Sequence, residues 1–168
     1  MPDDRTYLKW CLKQSKGIRT VGPSENLVKA YVQKSRTALK SMELNAKEGI
    51  YEWALSASYY ARYFAVYALL QKIGVKCEIH DCTIALFSYL LHGSIPPSLV
   101  KQLKQSKDER VEAQYYTGKI DVDEQELIHS ARSFVLEIEK LIDSLNPEKI
   151  VSLQKRLREL ASVEGKRR

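Results

Sequence analysis

The stretch Trp53-Ala-Leu-Ser-Ala-Ser-Tyr-Tyr-Ala-Arg-Tyr-Phe-Ala-Val-Tyr-Ala-Leu-Leu70 decides the fold. Between Glu52 and Lys72 its only formal charge is Arg62, and small residues recur three or four positions apart at Ala54, Ala57, Ser58, Ala61, Ala65 and Ala68. That interval is helical. A helix apolar nearly all round belongs inside a bundle, where its small-residue stripe admits a close neighbour and Tyr59, Tyr63 and Tyr67 form an adjoining ridge. The stretch has nearly the length of a membrane span, but Arg62, the serines and the tyrosine hydroxyls make it costly in lipid, so no membrane role is expected.

Working outward, this central helix runs from about Ile50 to Ile73, and Gly74 stops it because glycine tolerates the positive φ that follows a helix. Before it, Ser24 is a candidate cap for a helix carrying Leu27, Val28, Tyr31, Ala38, Leu39 and Met42 at helical spacing. After it, Asp81 is a candidate cap for a third helix with Ile84, Ala85, Phe87, Leu90 and Leu91, and Pro96-Pro97 open another around Leu99, Val100 and Leu103. Residues 107–116 read either as its continuation or as a separate turn. A strong amphipathic helix covers about 122–145, with acids in its first turns. Asn146-Pro147 then start a last helix whose Ile150, Leu153, Leu157 and Leu160 must dock on something.

No alternating strand pattern or repeat interrupts this reading, so the class is all-α: an antiparallel up-and-down helical bundle. The expected organisation is an N-terminal arm with a short helix over 1–23, the bundle over 24–145 and a basic C-terminal helix over 146–168. With 168 residues, 44% of them hydrophobic and 29% charged, the chain can bury a real core. Its start, Met-Pro-Asp-Asp-Arg, lacks the basic-then-apolar order of a signal peptide, which predicts a cytoplasmic protein. Cys11, Cys77 and Cys82 cannot all pair and do not suggest a disulfide framework. A net charge of +6 permits an acidic partner without selecting one.

The helix Gly49-Ile-Tyr-Glu-Trp-Ala through Leu70, followed by a loop, His80 and Phe87, resembles the HEPN domain family. Members often carry a helix reading roughly G-x-Y-x-x-A-x-S-x-x-Y-Y-A-x-F-x-A-x-x-A-L-L and then a His that opens the next helix. Tyr59, Tyr60, Ala61, Ala65, Ala68, Leu69, Leu70 and His80 match, while Tyr63 stands where phenylalanine is usual. Arg110-Val-Glu-Ala-Gln-Tyr115 is similar to the R-x-x-A-D-Y motif of a small HEPN subgroup, with Gln114 in place of Asp. The resemblance covers about 25–145.

It implies one of two roles. Many HEPN proteins are metal-independent endoribonucleases, toxins of toxin-antitoxin pairs among them, with an Arg followed after four to six residues by a His. Others are dimeric, noncatalytic companions of minimal nucleotidyltransferases. RNA cleavage needs a base for the 2′-hydroxyl and a cation for the developing phosphorane charge. Arg110 matches the arginine, but the histidine positions hold Tyr115, Tyr116 and Thr117, and a phenol with a pKa of about 10 keeps its proton at neutral pH. Arg110 and Tyr115 are therefore the candidate catalytic pair of the rival, toxin-like ribonuclease reading. The leading expectation is a noncatalytic homodimer that binds a nucleotidyltransferase, a nucleotide or RNA. A purely structural interaction bundle is the third.

The candidate ligand or interface residues are Arg62, Tyr59, Tyr60, Tyr63, His80, Arg110, Tyr115 and Tyr116. For Tyr59 or Tyr60, burial demands a polar partner. Arg62 is expected to form an ion pair with Glu52 or with an acid of the 122–145 helix, and His80 to cap or orient the third helix. Cys77, His80 and Cys82 lack the further ligand that a tetrahedral zinc requires, so no metal is expected, and no cofactor is implied. Lys101, Lys104 and Lys107 lead to Arg110 in steps of three, as a solvated face or a phosphate-binding stripe.

Overall fold

A computed structural model describes residues 4–118 and 120–162. Its described residues form α1 (Asp4–Lys13), α2 (Glu25–Lys47), α3 (Tyr51–Ile73), α4 (His80–Leu90), α5 (Pro97–Tyr115), α6 (Glu124–Ser144) and α7 (Pro147–Ser162), with strands β1 (Arg19–Thr20) and β2 (Val75–Lys76). The all-α reading holds. The tiny sheet, pairing Arg19 with Lys76 and Thr20 with Val75 in antiparallel register, is too short to leave an alternating pattern in the sequence.

Helix α3 is the axis, with 16 of its 23 residues buried. It shares its longest interface with α2. Ala61, Ala65 and Ala68 are essentially inaccessible, and the buried Ser35 hydroxyl of α2 donates to the Ala61 carbonyl at 2.7 Å. Helices α5 and α6 also rest on α3, yet they make almost no contact with each other. The main core gathers Tyr59, Val66, Leu69, Leu70 and Ile73 of α3 with Phe87 and Leu90 of α4 and Phe134 and Ile138 of α6. Full burial of each such side chain stabilises by about 1.5–3 kcal/mol. A second cluster near the α2–α3 turn joins Met42, Ala46, Ala54, Leu55, Ala113, Leu127 and Ala131.

The local signals behave as their chemistry requires. Ser24 Oγ accepts from the Leu27 N–H, Asp123 caps α6 by accepting from the Glu126 N–H, and Asn146 Oδ1 accepts from the Lys149 N–H. Gly74 ends α3 at φ 86°, and a Cβ there would lie 2.7 Å from the Val21 carbonyl oxygen, so both its conformation and its closeness to the β1 segment demand glycine. Residues 97–116 resolve the open alternative: α5 is continuous to Tyr115.

Two expectations are corrected. The cap of α4 is Ile79, not Asp81; Asp81 lies inside the first turn and pairs with Lys107 of α5 at 2.5 Å, while the Thr83 hydroxyl donates to the Ile79 carbonyl. And Cys11 is joined to Cys82 by a disulfide, with Cys77 free and buried. An odd count hid the pair, because which two thiols meet depends on α1 folding against α4. Leu8 and Cys11 of α1 are fully buried there. The C-terminal helix also docks: the Gln154 amide donates to the Ile73 carbonyl at 2.8 Å, and Arg156 donates to the carbonyls of Leu90 and His92 at the end of α4. Among the described residues no helix is long and apolar enough to cross a membrane.

Candidate functional site

Tyr59, Tyr60 and Tyr63 sit on one side of α3, where the spacing of three and four that built the helix aligns them toward α4 and α5. Tyr59 is wholly buried, and its hydroxyl lies 2.6 Å from Nδ1 of His80, the first residue of α4. The His80 ring stacks on Tyr63, centroids 4.2 Å apart and planes within 10°, and meets Tyr60 edge-on. Arg110 comes from the C-terminal part of α5. Its guanidinium stands 5.2 Å from the Tyr59 ring centre and 5.7 Å from that of Tyr60, and Nη1 donates to the Tyr60 hydroxyl at 3.3 Å. Cation–π attraction and one hydrogen bond therefore fix its direction. Its Nε is buried without an acceptor.

Folding thus brings an imidazole to Arg110 from a different helix, the relationship that a search for a His just downstream of Arg110 misses. His80 does not cap α4; it is a ring wedged between tyrosines. Burial, and then the charges of Arg110 and Lys107, push its pKa below the usual imidazole range against the opposing pull of Asp81. Both effects favour its neutral form. The hydroxyls of Tyr59 and Tyr63 move the other way, since burial raises both above the ordinary phenol value. Neither phenol is a base here.

Of the other motif residues, Ala113 is buried, the Gln114 amide donates to Ser56 Oγ at 3.1 Å, and Tyr115 and Tyr116 stand exposed at the end of α5. Tyr115 is 76% exposed and makes none of the ring contacts around Arg110, so it is not a partner for that guanidinium. Beside Tyr60 and Gln114 opens a groove of about 490 Å³, lined also by Trp53, Ala57 and Phe64, with the Trp53 indole 61% exposed. The sequence signal for Trp53 is its place one helical turn from Ala57 and two from Tyr60; its exposure depends on the tertiary fold.

Arg62 departs from expectation as well. It forms no ion pair with any described carboxylate: Nη1 donates to the carbonyl and hydroxyl of Ser58, and Nη2 to Ser130 Oγ at 3.0 Å. Its buried position lowers its pKa to about 10, with Glu109 acting in the opposite direction. Cys82 is committed to Cys11, and no described cluster of three or more His, Cys, Asp or Glu could hold a metal ion.

An all-α bundle around an alanine-notched helix, carrying an arginine aimed at its tyrosines, defines the class. The HEPN domain model matches residues 28–145, and the chain belongs to that family, which is associated with nucleotide- and RNA-related functions. No curated protein matches it.

Proposed function

We propose that this chain is a noncatalytic HEPN protein that binds nucleotide or RNA at Arg110, acts as a homodimer, and serves as the companion of a minimal nucleotidyltransferase. The observation that carries the binding role is Arg110 held over Tyr59 and Tyr60 beside the groove of Trp53, Tyr60 and Phe64. A half-buried guanidinium suits a phosphate oxygen, and the exposed Trp53 face suits a base. The noncatalytic reading is supported by tyrosines that keep their protons and by a His80 whose Nδ1 is engaged by Tyr59. Exposed Leu44 and Ile50 at the α2–α3 turn supply apolar surface for a second copy to cover.

Fluorescence anisotropy with labelled single-stranded RNA tests the binding role: wild type binds with a salt-dependent affinity and Arg110→Ala weakens it. Binding unchanged by that substitution would remove the site. Light scattering reads the homodimer, and a strict monomer would discard it.

The second reading, a toxin-like ribonuclease, is favoured by His80 being hydrogen-bonded to Tyr59, over whose ring Arg110 lies. Incubation with total RNA decides between the two. Cleavage by wild type that vanishes in both Arg110→Ala and His80→Ala would establish this reading over the first.

A further inference from the structure

Arg110 is not the only cation resting on the aromatic side of α3. Lys34 of α2 holds its ammonium 5.4 Å from the ring centres of both Tyr31 and Phe64, within reach of cation–π attraction. Phe64 stacks beside Tyr60, centroids 5.7 Å apart and planes 26° apart, and Tyr60 carries Arg110. These four side chains make one run of contacts, cation to ring to ring to cation, that crosses from α2 over α3 to α5. Helical spacing sets it up. Lys34 shares a face of α2 with Ala38, Ser41 and Asn45, and Trp53, Ala57, Tyr60 and Phe64 share a face of α3. Apart from Lys34, those residues line the groove of about 490 Å³ described above.

On the same three helices Arg36 pairs with Glu139, Lys72 with Glu25 and Lys107 with Asp81. Lys34 and Arg110 have no carboxylate partner among the described residues, and no charged side chain lines the groove itself. The ammonium of Lys34 is exposed, and the Tyr60 and Phe64 rings are partly so. From Trp53 to Phe64 the helix advances about 16 Å, whereas stacked bases on one strand rise only about 3.4 Å each. A mononucleotide, with one base and one phosphate group, covers part of this length. A nucleic-acid strand alternates flat rings with phosphates and matches all of it, provided that its bases are not already hidden in a duplex. An acidic peptide supplies anions without the flat faces between them.

We propose that this stripe is the track of a single RNA strand several nucleotides long, with a base on Trp53 and separate phosphates at Arg110 and Lys34. The inference rests on the binding role given above to Arg110 and specifies its ligand: an extended single strand, not a mononucleotide.

Fluorescence anisotropy on the full chain tests it, with a labelled oligouridylate of about five nucleotides competed by the unlabelled strand, uridine monophosphate and polyglutamate. The unlabelled strand is expected to compete at least about tenfold better than uridine monophosphate at equal nucleotide concentration, and far better than polyglutamate. Lys34→Gln should weaken the strand about fivefold and lower the slope of log affinity against log salt by about 0.7, the loss of one phosphate contact. Lys34 is exposed, so this substitution does not threaten folding. Lys40→Gln, exposed on α2 but away from these rings, should leave binding unchanged. Binding weakened by Arg110→Ala but not by Lys34→Gln would overturn the track and leave the Arg110 site standing. Equal competition by the mononucleotide or by polyglutamate, or an equal effect of Lys40→Gln, would also overturn the track. No binding of the strand by wild type would remove both the track and the Arg110 site.

Discussion

The hydroxyl of Tyr59 and Nδ1 of His80 are 2.6 Å apart, which ties the middle of α3 to the first turn of α4 across 21 residues of sequence. This bond orients the His80 imidazole, whose pKa Arg110 lowers. Replacing Tyr59 with Phe removes it without opening a cavity, at an expected cost of about 1 kcal/mol in urea unfolding. The loss should be matched by a change in the His80 ring signals in NMR.

Stability should also report on His80 through pH. Its folded pKa lies below its unfolded value, so the unfolded chain binds the extra proton first as the solution acidifies. The contribution is therefore complete above the unfolded value, about 6.5, and is lost as pH falls through the folded one. Unfolding measured at successive pH values should show stability falling below that point, with a shallower decline in His80→Asn. An NMR titration of Arg110→Gln should find the His80 pKa higher than in wild type, because a neighbouring cation has gone; an unmoved value would separate the two residues electrically.

Trp53 should sense RNA directly. If a base stacks in its groove, Trp53 fluorescence changes on binding, and Trp53→Ala weakens binding by about 1–3 kcal/mol. Trp10 is the only other tryptophan, so Trp10→Phe leaves a single reporter.

Reduction should loosen the fold. The Cys11–Cys82 bond spans 71 residues, and closing a loop of that size removes unfolded-state entropy worth about 4.4 kcal/mol in the chain-entropy model. Dithiothreitol should lower the melting temperature of wild type and leave Cys82→Ser unchanged. A nonreducing peptide map should recover the Cys11 and Cys82 peptides joined and Cys77 as a thiol.

Gly74→Ala tests the joint between α3 and the small sheet. Positive φ and the nearby Val21 carbonyl act together there, so the substitution should cost about 1–3 kcal/mol in thermal or urea unfolding. A neutral result would contradict the close passage of the two segments.

The bundle was legible because α3 has a one-dimensional signature: a single charge and alanines at helical intervals suffice to bury it. Ser24, Gly74 and Pro97 marked boundaries by backbone chemistry that is local to them. What stayed hidden was set by contacts far apart in sequence. Arg110 was visible as a motif residue, but its imidazole neighbour lies 30 positions upstream, on a helix whose orientation depends on tertiary packing. Arg62 needs a partner on its sequence alone, and a carboxylate is the obvious kind; the serines that take that role carry no charge pattern to announce it. The Cys11–Cys82 bond depended likewise on α1 and α4 meeting.

Helix α4 is held at both ends by segments outside residues 28–145: Cys11 bonds its first turn, and Arg156 engages the carbonyls at its last. The flanks thus act as a vice on the rod that carries the imidazole. Lengthening, loosening or exchanging either jaw would retune the angle of that ring while every side chain around Arg110 stayed the same, so relatives with identical central helices and different ends are where divergent behaviour should be sought.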